Sequence, residues 1–296
     1  MGRVDRIVVG VDGSASSIQA LRWAVGEARA SGGSVLVLWA WEWMFHEDAQ
    51  QPDVPFDPNR QARDDAHLLS GWVDRARQDA PNVDIEERLV RDLPVRALLD
   101  ASSEADLVVV GSRGRGGFRG LLLGSVSQQC IQYSAVPVAI VRADRPDEPF
   151  GRIVVGVDGS PESRHALDWA LAIAGRKGAE LEVFHSWQFP FPPGDFFPTE
   201  DVKPYEQSTA EALVQDMLDA ADTTDLRFPV IRTVELGSPR VTLIDASTRA
   251  DLLVVGSRGV GGFRGMLLGS VAHAIAHHAD CPVLVVPGPG ARSNGS

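Results

Sequence analysis

Cysteine is nearly absent from this chain: 296 residues contain two, Cys130 and Cys281. They sit at non-equivalent places in the two halves of the sequence and neither belongs to a CxxC pair. This argues against a disulfide framework or a cysteine metal site and points to two packed, reduced thiols. An excess of cationic residues is missing as well. The formal net charge is −12, which argues against general binding to nucleic acid or to an anionic membrane, since both need cationic surface. Long apolar runs are also lacking. The stretch from Val35 to Phe45 is interrupted by Glu42 and is too short to span a bilayer. Met1 to Arg6 has neither the apolar core of a secretion signal nor the Ser or Thr of a myristoylation motif. The expectation is a soluble, cytoplasmic protein with no membrane partner.

Several nucleotide and catalytic signatures are missing too. There is no GxxxxGK[ST], so no P-loop lysine. Gly10-Val-Asp-Gly13 is not the GxGxxG of a dinucleotide fold. Val110-Gly-Ser-Arg-Gly114 lacks the first glycine of a GxSxG nucleophile elbow, which argues against Ser112 as a nucleophile.

What is present is a repeat. Apolar residues at 44% and charged residues at 23% are globular values, and the length suits two domains of ordinary size. Arg6-Ile-Val-Val-Gly-Val-Asp-Gly-Ser14 recurs unchanged as Arg152 to Ser160. A glycine-rich block, Gly111 to Val126, recurs as Gly256 to Val271 with two differences, Arg115 against Val260 and Leu121 against Met266. Domain 1 is therefore expected over 1–143, a polar linker with two prolines over 144–151, domain 2 over 152–290, and a tail over 291–296.

Each copy reads as alternating strands and helices. Ile7 to Val11 is a short β-branched run suited to a strand buried on both faces. Ser14, and Ser160 followed by Pro161, can cap the next helix. That helix puts Ile18, Leu21, Val25 and Ala28 on one face, with Leu167, Leu171 and Ala174 in copy two. Second strands follow at Val35–Ala40 and Leu181–Ser186, then unmatched irregular stretches at 41–60 and 187–204. Helical periodicity resumes at Leu69, Trp72, Val73 and Ala76, and at Val214, Met217, Leu218 and Ala221. Third strands are expected at Val83–Val90 and Phe228–Val234, and fourth strands at Leu107–Val110 and Leu252–Val255. Helices follow from Val126 and Val271, and last strands at Pro137–Val141 and Pro282–Val286. The pattern predicts an α/β fold: two tandem copies of a five-stranded parallel sheet with helices on both faces, Rossmann-like in plan. Ligands of such sheets sit at the carboxyl ends of the strands near the switch in strand order. Asp12, Ala40 and Gly111 all fall there.

The glycine block reads as a phosphate cradle. Gly111 and Gly114 let the chain turn and approach a ligand closely. Gly124-Ser125-Val126 stands at a helix start, where free backbone N–H groups favour an anion. Arg113, Arg115 and Arg119, with Arg258 and Arg264 in copy two, add charge. The competing reading is a glycine turn that only packs helix on strand. Asp12 and Asp158 could bond a nucleoside hydroxyl or amino group, help hold a metal, or form an Asx turn before Gly13 and Gly159. His273 and His277 have i, i+4 spacing, but copy one has Gln128 and Gln132 there, and a solvated helix face is expected. Leu121 to Leu123 reads as the buried side of the loop.

These residues resemble the universal stress proteins. Nucleotide-binding members carry G-x2-G-x9-G-[ST] after the fourth strand. Gly111, Gly114, Gly124 and Ser125 fit at full spacing, as do Gly256, Gly259, Gly269 and Ser270. The opening Val-Gly-Val-Asp-Gly-Ser, the Leu-Val-Val-Val-Gly-Ser-Arg-Gly strand and the closing Cys-Pro-Val-Leu-Val-Val are also similar. The resemblance covers nearly the whole chain, in a tandem form similar to that of actinobacteria. It implies ATP, with or without Mg²⁺, bound once per domain by a regulator of stress or dormancy. The implied site in domain 1 is Gly10, Val11, Asp12, Gly13, Ser14, Ala40, Gly111, Ser112, Arg113, Gly114, Arg115, Gly116, Gly117, Gly124, Ser125 and Val126. In domain 2 it is Gly156, Val157, Asp158, Gly159, Ser160, Ser186, Gly256, Ser257, Arg258, Gly259, Val260, Gly261, Gly262, Gly269, Ser270 and Val271. The aspartates would face the nucleoside, Ala40 and Ser186 would border adenine, and the glycine turns and helix starts would hold the phosphates. Last strands would mediate a homodimer or an intrachain pseudo-dimer, with a further protein partner unspecified. Copy one has Asp92 where copy two keeps the family's Gly237, the loops after the second strands differ between copies, and Val260 in place of Arg115 leaves copy two one cation fewer near the phosphates; two sites are expected, the first no weaker than the second.

Two other functions compete. One is an enzyme, a slow ATPase or a nucleotidyl transferase, against which no repeated His, acid–base pair or SGGxDS loop is visible. The other is a nucleotide-free interaction module using the stretches 41–60 and 187–204.

Overall fold

A computed structural model describes residues 4–41, 58–114, 122–142, 151–188, 202–221, 226–261 and 267–289. The expected linker, except Gly151, and the loop residues Arg115, Gly116, Gly117, Arg119, Gly262 and Arg264 lie outside them, as do most of 41–60 and 187–204. The chain divides into two compact units, Arg3–Pro146 (domain 1) and Asp147–Ser296 (domain 2).

Domain 1 runs β1 (Arg6–Gly10), α1 (Ala15–Ser31), β2 (Ser34–Ala40), α2 (Pro58–Asp79), β3 (Asp84–Val90), α3 (Pro94–Ser102), β4 (Leu107–Gly111), α4 (Ser125–Tyr133) and β5 (Val138–Val141). Its strands lie in the order β3-β2-β1-β4-β5, all parallel. The centre is the expected β-branched run: Ile7, Val8 and Val9 are fully buried, and Val9 stands opposite Leu38's neighbour Val37 and Val109. A strand buried on both faces needs helices above and below. Here α1 and α2 pack together on the sheet, and α3 packs with α4.

Domain 2 repeats the plan as β6 (Arg152–Gly156), α5 (Pro161–Lys177), β7 (Glu180–Trp187), α6 (Val202–Asp219), β8 (Val230–Leu236), α7 (Pro239–Ser247), β9 (Leu252–Gly256), α8 (Ser270–His278) and β10 (Val283–Val286). Its strands lie in the order β8-β7-β6-β9-β10, again parallel. The first helices start and stop as their termini dictate. Ser14 and Ser160 cap them, accepting from the N–H groups of Ser17 and Ser163, and Gly32 and Gly178 end them with φ of 72° and 63°.

The differences from expectation fall where the apolar pattern is weak. Strand β8 is shifted two residues towards its carboxyl end. It is an edge strand with much of its length exposed, so no alternation marks its ends. Ile18 is only half-buried, and Ala20, Ala24 and Ala28 with Leu21 and Val25 form the buried face of α1. Leu123 is buried as expected, but Leu122 is 46% exposed. On the second strand, Trp39 stacks on Trp72 of α2 at 5.1 Å between ring centroids.

Candidate functional site at the carboxyl ends of the strands

In each domain the chain leaves the first strand, builds outward to the third, then crosses back to the fourth strand on the other side of the first. The switch in strand order therefore lies between β1 and β4, and between β6 and β9. Asp12 follows β1 and Gly111 ends β4, so parallel pairing sets them side by side. The second copy sets Asp158 beside Gly256 in the same way.

The aspartates belong to tight turns. Gly13 and Gly159 have φ of 81° and 83°, a conformation L side chains rarely adopt. Asp12 Oδ1 accepts from the Ser14 N–H at 3.0 Å, and Asp158 Oδ1 accepts from the Ser160 N–H at 3.0 Å and its hydroxyl at 2.6 Å. The Asx turn is thus present, and the carboxylates also reach the glycine loop. A Cβ on Gly114 would meet Asp12 Oδ2 at 2.5 Å. Asp158 Oδ2 accepts from the Val260 N–H at 2.9 Å. Burial alone would push the Asp158 carboxyl up, but hydrogen bonds from Ser160, Val260 and Ser163 outweigh it and hold the group below the ordinary carboxylate value.

The closest approach at Gly111 is to the protein itself. A Cβ there would lie 2.7 Å from the backbone of Ser16 and Ser17, and one on Gly256 would lie 2.9 Å from Glu162. The packing reading therefore accounts for these two glycines. Gly124 is different. A Cβ there would meet nothing nearer than 3.6 Å, yet Gly124 is the N-cap of α4, with φ −77° and ψ 157° and no side-chain cap. Gly269 caps α8 in the same manner. Each loop is closed at its base: Gly124 N–H donates to the Ser112 carbonyl at 2.8 Å, and Gly269 N–H to that of Ser257 at 2.7 Å. Ser112 and Ser257 are buried.

The second strands bring Ala40 and Ser186 to the same end of the sheet. The Ser186 hydroxyl donates to the Gly237 carbonyl at 2.7 Å, and His185 Nδ1 lies 2.8 Å from the Val157 carbonyl. Sequence reasoning missed two residues here, His185 and Glu162. Glu162 Oε1 lies 2.9 Å from Arg258 Nη2. Neither recurs in copy one, where Trp39 and Ser16 stand instead, so a search for repeated residues passes over them.

The family model of the universal stress protein family matches residues 3–142 and again 149–287. The chain belongs to the universal stress protein family. A universal stress protein of Mycobacterium tuberculosis is 34% identical over 292 residues, covering 94% of this chain and 96% of its own. A universal stress protein from Archaeoglobus fulgidus, solved by crystallography, shares the tandem fold with TM-score 0.66 at 23% identity, covering 96% of each chain. A universal stress protein solved in complex with cAMP is 33% identical, covering 48% of this chain and 99% of its own, with TM-score 0.37. Other features of this universal stress protein stand apart from the strand ends. Burial pushes the Cys130 thiol up to about 12, which leaves it an unreactive packed group. His273 and His277 stack at 4.4 Å, and the described residues contain no group of three side chains that could hold a metal. No helix among the described residues is long and apolar enough to cross a membrane.

Proposed function

We propose that each domain binds ATP at the carboxyl end of its sheet and that the protein acts as a nucleotide-dependent regulator of stress or dormancy. One observation carries this reading. In both domains the aspartate after the first strand and the glycine turn after the fourth are drawn together at the switch point. They stand beside the loop that ends in a helix start no side chain caps. An uncapped helix start offers backbone N–H groups and a positive dipole end to an anion. In this reading the Gly124-Ser125-Val126 and Gly269-Ser270-Val271 amides hold phosphate oxygens, with Arg113 supplying charge in domain 1 and Arg258, paired with Glu162, standing beside the loop in domain 2. Asp12 and Asp158 face the nucleoside, while Ala40 and Ser186 border the base. Mg²⁺, where present, accompanies the phosphates. A homodimer or an intrachain pseudo-dimer and a further protein partner complete the proposal, in the cytoplasm.

Calorimetric titration with ATP tests it, together with mass spectrometry of any nucleotide that copurifies. Two nucleotides per chain are expected, and cAMP is a useful second probe. Gly124→Ala is expected to weaken binding in domain 1 about tenfold while changing stability by less than about 1 kcal/mol, because the added methyl meets no close neighbour. A protein that carries no nucleotide and melts at the same temperature with and without ATP would reject the reading.

A further inference from the structure

The two domains tie the start of their first helix to the Gly-Ser-Arg-Gly turn by different chemistry. In domain 1 the hydroxyls of Ser14 and Ser16 both donate to the Arg113 carbonyl, and the Arg113 N–H donates to Ser16 Oγ at 3.3 Å. The Arg113 side chain is exposed and meets no carboxylate among the described residues. In domain 2 the position of Ser16 is taken by Glu162, the second residue of α5, where the positive end of the helix favours a carboxylate. The Glu162 side chain is only 14% exposed and pairs with Arg258 at 2.9 Å. It also lies against Gly288, where a Cβ would meet Oε1 at 3.0 Å, so the residue is held on two sides.

We infer that Glu162 makes the second site discriminate against polyphosphates, so that domain 2 binds ATP more weakly than domain 1 does and the handicap shrinks as the number of phosphates falls. The inference rests on the nucleotide reading above. The physical ground is charge at the phosphate end. Arg113 brings an uncompensated positive charge to its loop, whereas the charge of Arg258 is cancelled by Glu162 before any ligand arrives. A triphosphate in domain 2 must either displace the ion pair or lie beside a carboxylate. Both costs grow with the charge on the ligand, from AMP through ADP to ATP, and neither applies to adenosine. Val260 in place of Arg115 removes one more cation from the same loop.

Two-site titration of the full chain at low salt with ATP, ADP, AMP and adenosine tests this. The wild type is expected to show two ATP sites whose affinities differ by about tenfold or more, a ratio that narrows through ADP and AMP and closes with adenosine. Glu162→Ser should tighten the weaker ATP site about tenfold and leave adenosine unchanged. Glu162→Gln, which keeps the size of the side chain, should do the same. Ser16→Glu should weaken the stronger ATP site, and rising salt should shrink every one of these differences. Equal ATP sites in the wild type, or a ratio that Glu162→Ser and Glu162→Gln leave unmoved, overturns the inference and leaves the nucleotide reading standing. An equal change for adenosine and ATP also overturns it, because the residue would then act by shape rather than charge. Failure of all four ligands to bind the wild type removes the nucleotide reading, and this inference with it.

Discussion

Leu36 and Glu182 occupy the same point of the second strand in the two domains, and both are buried, at 2% and 3% exposure. Beside Leu36 the carboxylate stands one strand further out: Glu86 of β3, in register with Leu36, is half-exposed and lies 3.1 Å from both Arg6 Nη2 and Arg88 Nη2. Around Glu182 there is a charged cluster: Arg249 Nη2 lies 2.9 Å from Oε1, the Thr233 hydroxyl donates to Oε1 at 2.8 Å, and Arg152 Nη1 lies 3.9 Å from Oε2. Copy one has Glu104 where copy two has Arg249, and Arg88 where it has Thr233. The exchange is therefore coupled. A buried carboxylate is tolerable in domain 2 because Thr233 and Arg249 came with it, while Arg152, shared with copy one as Arg6, turns to it instead of to a carboxylate on the third strand. The same lesson holds at the strand ends, where Ser16 and Glu162 hold one turn through different chemistry.

The sharpest way to break this comparison is to move one residue without its partners. Leu36→Glu is expected to destabilise domain 1 by about 3 kcal/mol, because it buries a second carboxylate beside Glu86, which already holds Arg6 and Arg88. Glu182→Leu is expected to change domain 2 by no more than about 1 kcal/mol, since Arg152 and Arg249 are 36% and 42% exposed and can turn to water. Chemical denaturation of each variant measures both. Equal losses would show that the cluster around Glu182 contributes more than its mutual compensation.

The packed glycines come next. Gly111→Ala places a methyl 2.7 Å from the backbone of Ser16 and Ser17, where no flexible side chain can give way. A loss of about 2–3 kcal/mol is expected. Gly256→Ala, with 2.9 Å to Glu162, should cost somewhat less. A neutral Gly111→Ala would mean that α1 can shift away from β4.

Asp158→Asn is expected to cost about 1–2 kcal/mol at neutral pH, because an amide N–H₂ or a rotated amide leaves one of the Ser160 and Val260 donors without an acceptor. The sign with pH follows from the depressed carboxyl. Its contribution is present above the ordinary value of 3.8 and is lost as pH falls through the lower folded value. The gap between wild type and variant should therefore close in acid. Thermal melts from pH 7 downward, with hydrogen exchange at the Val260 amide, check both the size and the direction.

Much of this fold was legible in the sequence. The runs around Val8, Val109, Val154 and Leu253 are short, rich in β-branched residues and apolar at every position, which suits a strand covered on both faces. The site was legible as a set of strand ends because parallel strands all finish on one side. The edges were less so. Strand β8 carries no clean alternation, since half its surface meets water, and α2 and α6 begin inside stretches whose prolines and aromatics mask the helical period. Leu122 was expected inside because three leucines stand together, yet a loop can turn one of three outward.

By itself the sequence determined the duplication, the strand-helix order and the placing of Asp12 and Asp158 beside the glycine turns, because each follows from local pattern and from the rule that parallel strands align their ends. Only the tertiary structure decided what the glycines are close to. Gly111 abuts α1, Gly114 abuts the Asp12 carboxylate and Gly124 lies in ordinary contact with the Ser112–Gly114 backbone at an uncapped helix start. It also paired Glu162 with Arg258 and Glu182 with Arg249, partners 96 and 67 residues apart. Local pattern cannot supply such pairs, because the distance between two charges is set by how the sheet and helices pack and not by their separation along the chain.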